Sequence, residues 1–337
     1  MTVETTGTNF QVRLAARPEG LPKDSDFQFT EEAIPRPGEG EVLVRNTFLS
    51  LDPAMRGWMR EGRSYVPPIG IGEVMRGSTV GEVVESRVPD FAPGDTVAGL
   101  LGWQRYAVAA AKDLHRLPPG VPPLLALGPL GMTGMTAYFG LLDVGAAKPG
   151  ETVLVSGAGG AVGSMVGQIA RIHGCRAVGI AGTDDKCRWI TGELGFDAAI
   201  NYKTTPDLYE ELRHACPKGV DVFFDNVGGE ILNTALRHLA MHARVVICGA
   251  ISQYNATEPP KGPGNYLALL VQRARMEGFL VFDYRDRFAE AQAAIGRWLA
   301  EGKIHHREDV VDGLENAPRG LLRLFDGSNT GKLVVRI

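Results

Sequence analysis

The sequence has no cysteine before Cys175, and its four cysteines (Cys175, Cys187, Cys216 and Cys248) are nowhere in C-x-x-C spacing. Four unpaired thiols suit a reducing compartment. The first three thiols lie in or beside surface-type sequence, and the fourth follows an apolar run. His115 is the only histidine before His173, and no cysteine or paired carboxylate stands near it at ligand spacing, so no metal is expected. No apolar run reaches 18 residues, which excludes a transmembrane helix. Met1–Phe10 is polar and acidic without a signal-peptide core, so a cytoplasmic location is expected. Dense Lys/Arg blocks are lacking and net charge is −4, which argues against a phosphate-neutralising surface for nucleic acid. Internal repeats and low-complexity segments are also missing.

What is present is ordinary globular composition, 44% hydrophobic and 22% charged, over 337 residues. That length fits two domains better than one core. The first 130 residues or so are rich in Gly and Pro, with short β-type runs at 40–45, 77–85 and 94–99. This reads as a partly closed barrel or sandwich. Pro118-Pro-Gly-Val-Pro-Pro123 marks a boundary. From about 131 to 303, strands and helices alternate. Strands are expected at 152–156, 176–181, 197–202, 220–225, 244–249 and 277–282, and a helix at 284–302. Continuous apolar strands separated by helices imply a parallel sheet covered on both faces. The tail, 331–337, is one more strand, and residues 304–337 are expected to complete the N-terminal domain.

The first of these strands runs into Gly157-Ala-Gly-Gly-Ala-Val-Gly163 and then an amphipathic stretch. Ala158-x-Gly160-x-x-Gly163 is the dinucleotide fingerprint with alanine in place of its first glycine. The small residues let the chain turn, let backbone N–H groups approach a pyrophosphate, and let helix and strand pack closely. The helix N-terminus then offers N–H donors and a positive dipole end to an anion. The fold class expected is α/β, a Rossmann-type doubly wound sheet plus a β domain.

The second strand ends in Ala181-Gly182-Thr183, without the carboxylate that binds an unphosphorylated ribose. Small residues there leave room for a 2′-phosphate, and Lys186 follows within one helical turn. Asp184 and Asp185 read as first-turn carboxylates after a Thr183 N-cap. NADP(H) is therefore expected over NAD. Tyr202, at the end of the third strand, either flanks the adenine end or packs at the strand end.

Seven segments carry a resemblance that spans residue 10 to the C-terminus. They are Ser50-Leu-Asp-Pro-Ala-Met-Arg56, Gly131-Met-Thr-Gly-Met-Thr-Ala-Tyr138, Gly160-Ala-Val-Gly-Ser164, Phe224-Asp-Asn-Val-Gly-Gly229, Ile247–Asn255, Glu277–Phe282 and Asn329–Val335. In these the chain resembles the prostaglandin reductase, alkenal double-bond reductase and curcumin reductase family, a zinc-free, NADPH-dependent branch of the medium-chain dehydrogenase/reductases. The resemblance implies a GroES-like barrel beside the Rossmann domain. It implies reduction of the C=C bond of α,β-unsaturated ketones or aldehydes, and a homodimer, as relatives commonly form. By resemblance, Gly160, Ala161, Val162 and Gly163 hold the pyrophosphate and Lys186 the 2′-phosphate. Tyr202 and Asn226 line the adenosine side. Cys248, Gly249, Ala250, Ile251, Ser252 and Tyr254 run beneath the nicotinamide ribose, and Phe279, Leu280, Val281 and Asn329 complete the groove. Two departures stand out. Ala54 replaces a tyrosine found in many members, which widens the pocket or removes a substrate contact. Gly157 and Gly159 replace Ala, Ser or Thr, which reads as added flexibility.

The implied chemistry delivers hydride to the β-carbon, develops charge on the carbonyl oxygen, and protonates the enolate at the α-carbon. Without metal, hydrogen-bond donors must stabilise the oxyanion. Tyr254 is the leading catalytic donor, because a phenol stays protonated at neutral pH. Its alternative role is to orient the ribose. Tyr65 is a candidate cap on the substrate carbonyl, or an exposed loop aromatic. Arg56 either attracts an acidic substrate tail or forms a structural ion pair. Residues 255–265 read as a lid or a plain connection. Competing readings are a zeta-crystallin-type quinone oxidoreductase and a non-catalytic NADPH-binding sensor.

Overall fold

The computed structural model describes residues 7–337; the first six residues of the polar N-terminal stretch lie outside the described residues. The chain divides into two compact units, one reaching to Leu127 and resuming at Glu308–Ile337, the other Gly128–Arg307.

The first unit opens with β1 (Thr8–Leu14) and β2 (Phe27–Ala33), an antiparallel pair. β3 (Glu41–Ser50), β4 (Thr79–Ser86), β5 (Thr96–Gly99), β6 (Tyr106–Ala110) and β7 (His115–Arg116) follow.

In the second unit, β8 (Thr152–Ser156), β9 (Arg176–Ala181), β10 (Ala198–Asn201), β11 (Val220–Asp225), β12 (Leu239–Ile247) and β13 (Arg275–Gly278) form one sheet, every neighbouring pair parallel.

The chain then returns to the first unit with β14 (Glu308–Asp312) and β15 (Lys332–Arg336). The sheet order there is β14-β15-β3-β4-β5-β7, with β6 on β3. The tail strand β15 lies antiparallel to β3, with Val334 opposite Ser50. Lys332, buried, ties it down by donating to the Leu51 carbonyl at 3.1 Å and to Asp52 at 2.7 Å. Short, mostly antiparallel strands around the buried Trp103, Val12, Leu49 and Met55 make this the GroES-like β domain.

The order β10-β9-β8-β11-β12-β13 reverses direction between β8 and β11. Ligands of doubly wound sheets bind at the carboxyl ends of the strands flanking such a switch point. Burial on both faces explains the continuous apolar strands. Val153 and Val155 enter one core with Phe224 and Ile169, while Leu154 enters the other with Phe223 and Ile180. Each such side chain contributes about 1.5–3 kcal/mol when fully buried.

Three of the expected strands match at both ends; others shift. β12 begins at Leu239, five residues before the expected start, and ends at Ile247. Its register against β11 breaks where His242 adopts φ +62°. The residues expected to finish it, Cys248 and Gly249, instead turn their N–H groups onto the Asp225 carbonyl at 2.9 and 3.1 Å. β13 stops at Gly278 because Phe279 turns its ring into the core, edge-on to Phe224 at 6.4 Å. A 3-10 segment, Val281–Arg287, then leads into the helix Phe288–Ala300, which buries Ala291, Ile295 and Trp298. The helix Ala317–Asp326 and strand β14 were not expected.

Arg244 braces the base of the sheet. It donates to the carbonyls of Gly145 at 2.7 Å and Ala146 at 2.8 Å and forks onto Glu151 at 2.9 and 2.5 Å. Burial pushes the Glu151 carboxyl up, but the Arg244 hydrogen bond, the Lys148 N–H and both positive charges together hold it below its ordinary value. A depressed carboxylate stabilises the fold above its unfolded pKa, and that contribution is lost as pH falls through the folded value. Glu151→Gln is therefore expected to lower the melting temperature at pH 7. The gap to the parent protein should narrow as pH falls below the ordinary glutamate range, read by thermal melts across pH.

Candidate functional site

The carboxyl end of β8 turns through Gly157, whose φ of +62° lies in the left-handed region. This explains the alanine at the fingerprint's first position. The left-handed residue stands one place earlier, so Ala158 needs no glycine freedom. It is fully buried, and its N–H donates to the Ile180 carbonyl at 3.0 Å. Gly157 is thus a conformational requirement rather than the added flexibility expected of it.

The helix Ala161–Ile172 follows, N-capped by Gly160 without a side-chain cap. Gly163 sits so near the turn that a Cβ there would lie 2.4 Å from the Gly157 carbonyl oxygen. The first-turn N–H groups of Ala161, Val162 and Gly163 have no acceptor within the helix. Turn, small residues and helix end together form a cradle suited to a pyrophosphate.

At the end of β9, Thr183 caps the next helix, its Oγ accepting the Lys186 N–H at 3.2 Å. The Lys186 side chain lies across Gly159, within 2.9–3.1 Å of where a Cβ would stand. Asp184 accepts from Asn201 at 2.6 Å and Asp185 pairs with Arg188. Tyr202 and Lys203 flank Gly182. The Tyr202 Oη would lie 3.5 Å, and the Lys203 Cε 3.3 Å, from a Cβ at that glycine. The structure thus brings Lys186 and Tyr202 to the same strand ends and adds a second lysine that sequence reasoning missed. Its only signal was a lysine directly after the expected tyrosine.

Asn226, after β11, donates through Nδ2 to the Ser156 carbonyl at 2.7 Å and through its backbone N–H to Ser156 Oγ at 2.8 Å. The segment after β12 hangs on the same loop. Ile251 N–H donates to the Asn226 carbonyl at 3.2 Å, and the Ser252 hydroxyl donates to the Val227 carbonyl at 2.6 Å. Tyr254 folds back over this segment, and its Oη accepts the Ala250 N–H at 3.2 Å. The Cys248 thiol is pushed up to about 12 by burial and by Asp225, so it is protonated at neutral pH. Phe279 offers only its backbone, since its ring packs into the core. Val281 is half-buried beside the same core and Leu280 is exposed. The segment 255–265 is mostly exposed and is fastened at its far end by Asn265, which donates to the Asn233 carbonyl at 2.7 Å.

Three expected site residues lie in the first unit. Asn329 is buried and donates to the Gly331 carbonyl at 3.3 Å. Tyr65 is exposed, and its Oη accepts the Trp58 indole N–H at 3.2 Å. Arg56 corrects the expectation of a substrate contact. It is 1% exposed, and its guanidinium is enclosed by loop carbonyls, those of Pro18 at 2.9 Å and Gly20 at 2.8 Å. Burial, reinforced by the nearby Arg60 charge, lowers its pKa to about 10. Two thiols read as surface-type are also corrected. Cys175 and Cys216 are buried, and burial pushes them up to about 11 and about 12.

The glycines of the turn are expected to rank by what their missing side chains would strike. Gly163→Ala drives a methyl into backbone and should destabilise by about 1–3 kcal/mol. Gly159→Ala meets only the movable Lys186 chain and should cost less in chemical denaturation.

Comparison with known proteins agrees with this geometry. A family model described as the N-terminal domain of oxidoreductase matches residues 11–117, and one described as zinc-binding dehydrogenase matches residues 161–297. Among the described residues, no group of three or more His, Cys, Asp or Glu is placed to hold a metal ion. The chain is 47% identical to the NADPH-dependent curcumin reductase of Escherichia coli (strain K12), covering 96% of this chain and 95% of that protein. It is 44% identical to prostaglandin reductase 1 of Rattus norvegicus, covering 94% and 96%. It is also similar to the crystal structure of CurA in complex with NADPH from Vibrio vulnificus, with a TM-score of 0.92, 46% identity, and 97% and 98% of the two chains covered. The chain therefore belongs to the zinc-free medium-chain dehydrogenase/reductases of the curcumin and prostaglandin reductase family.

Proposed function

We propose that this protein is an NADPH-dependent reductase of the conjugated C=C bond of α,β-unsaturated ketones and aldehydes. The single observation that supports this most is the cradle at the β8–β11 switch point with Lys186 and Lys203 at its β9 side, joined to full-length likeness to reductases of such substrates. When bound, NADPH supplies hydride to the β-carbon. Ala161, Val162 and Gly163 present N–H donors to the pyrophosphate, and Gly160, whose own N–H is taken by the Gly157 carbonyl at 3.0 Å, keeps the turn free of a side chain there. Lys186 and Lys203 place positive charge for the 2′-phosphate, beside the Tyr202 ring. Asn226 and the backbone of 248–252, with 279–281, orient the rest of the coenzyme. Tyr254 is the donor to the enolate oxygen, where one well-placed hydrogen bond contributes a few kcal/mol.

The test is NADPH oxidation with alkenals, cyclic enones and a quinone. Enone turnover should exceed quinone turnover, and NADPH should outperform NADH. Tyr254→Phe should lower turnover about tenfold or more while NADPH affinity stays nearly unchanged. Turnover equal to the parent's would remove Tyr254 from the chemistry.

We also place the protein in the cytoplasm, where free thiols persist, and propose a homodimer. β13 is an exposed edge strand beside the helix Leu267–Gln272, which turns Leu267, Leu270 and Val271 outward at 58%, 74% and 68% exposure. Open edges pair with other strands. Antiparallel pairing of two copies about Met276 sets Arg275 of each opposite Glu277 of the other. Leu270→Glu with Val271→Lys should convert a sedimenting dimer to monomer. A parent protein already monomeric at micromolar concentration would refute the dimer.

A further inference from the structure

Asp225 is fully buried at the switch point, yet nothing in the proposed chemistry employs it. Its Oδ1 accepts the Ser156 hydroxyl at 2.7 Å and the N–H groups of Val227 and Gly228, both at 3.0 Å, and its Oδ2 accepts Gly228 again at 3.1 Å. Its carbonyl accepts Cys248 and Gly249. Ser156 closes β8 immediately before the phosphate turn. Val227 and Gly228 belong to the loop that carries Ile251 and Ser252. One residue therefore touches the ends of three adjacent strands.

We propose that Asp225 is a positioning residue that locks the coenzyme segment 248–254 to the phosphate turn, and so sets where the reducing end of the coenzyme lies relative to its anchored phosphates. This rests on the reading of the site as an NADPH site. The physical reason is the geometry of acceptance. The N–H groups of Val227 and Gly228 and the Ser156 hydroxyl all point at one carboxylate, which accepts the three at once. A neutral side chain supplies fewer acceptors, and a buried N–H left without one is costly. The pyrophosphate cradle and the lysines are held by other contacts, namely the Gly157–Gly163 packing and the Thr183 cap. Loss of Asp225 should therefore displace the nicotinamide side while leaving the phosphate side in place.

Hydrogen exchange on the ligand-free protein tests the lock without reference to the reaction. Asp225→Asn should raise exchange at residues 248–252 and leave the helix Ala161–Ile172 as protected as in the parent. Kinetics give the second readout. Asp225→Asn should lower kcat about tenfold to a hundredfold, since a small misplacement of reacting atoms costs that much. Its KM for NADPH should change less than about threefold. Ser156→Ala, which removes one arm of the lock but keeps the carboxylate, should shift both readouts the same way and less. The double variant should lose little beyond Asp225→Asn alone, because the two residues act as one unit. Unchanged exchange at 248–252 in a folded Asp225→Asn overturns the proposal, as does a loss of kcat matched by an equal rise in KM. A parent protein that turns over no enone sinks the functional reading instead, and the exchange result still decides the lock.

Discussion

The backbone of Gly163 passes so close to the carbonyl of Gly157 that a methyl group does not fit between them. Everything at the candidate site is referred to that contact. It seats the helix Ala161–Ile172 on the strand it follows and points the helix's first N–H groups at the turn rather than at a neighbouring side chain. It also fixes the turn from which Lys186 is measured, since the lysine stem lies over Gly159. The positive φ that makes the approach possible belongs to Gly157, which releases the next position to carry a buried alanine.

Around this contact the strand ends are held by polar groups taken out of water. Ser156, Asp225 and Asn226 satisfy one another across β8 and β11. Burial pushes the Asp225 carboxyl upward, and the Gly228, Ser156 and Val227 donors pull it back. The same low-dielectric setting silences the thiols. Burial raises Cys175, Cys216 and Cys248 alike, so the sulfur that follows β12 stays a protonated thiol. Lys186 and Lys203 stand at the β9 and β10 ends, the first across Gly159 and the second beside Gly182.

The tail shows why the β domain was harder to draw than the Rossmann unit. β15 was legible as an apolar strand, but its place between β14 and β3 is set only by the strands it meets there. Its neighbour β14 alternates weakly and is half-buried, so it carries little periodic signal. The helix Ala317–Asp326 did leave marks that went unread, Pro318 in its first turn, Gly327 at φ +75° beyond its end and an apolar face through Ala317 and Leu321.

By itself the sequence determined the parallel sheet and the phosphate turn, because apolar runs of strand length and glycines at fixed spacing are local facts that survive without tertiary context. It also determined the Thr183 cap and the placing of Lys186 and Tyr202 at strand ends, for the same reason. Only the tertiary structure decided the rest. It ended β12 at Ile247, because the next two N–H groups had a carbonyl waiting on β11. It turned Phe279 into the core, buried Arg56 among carbonyls, and brought Lys203 and Asp225 into the site. Those outcomes depend on what a neighbouring strand offers across space, and no spacing along the chain encodes that.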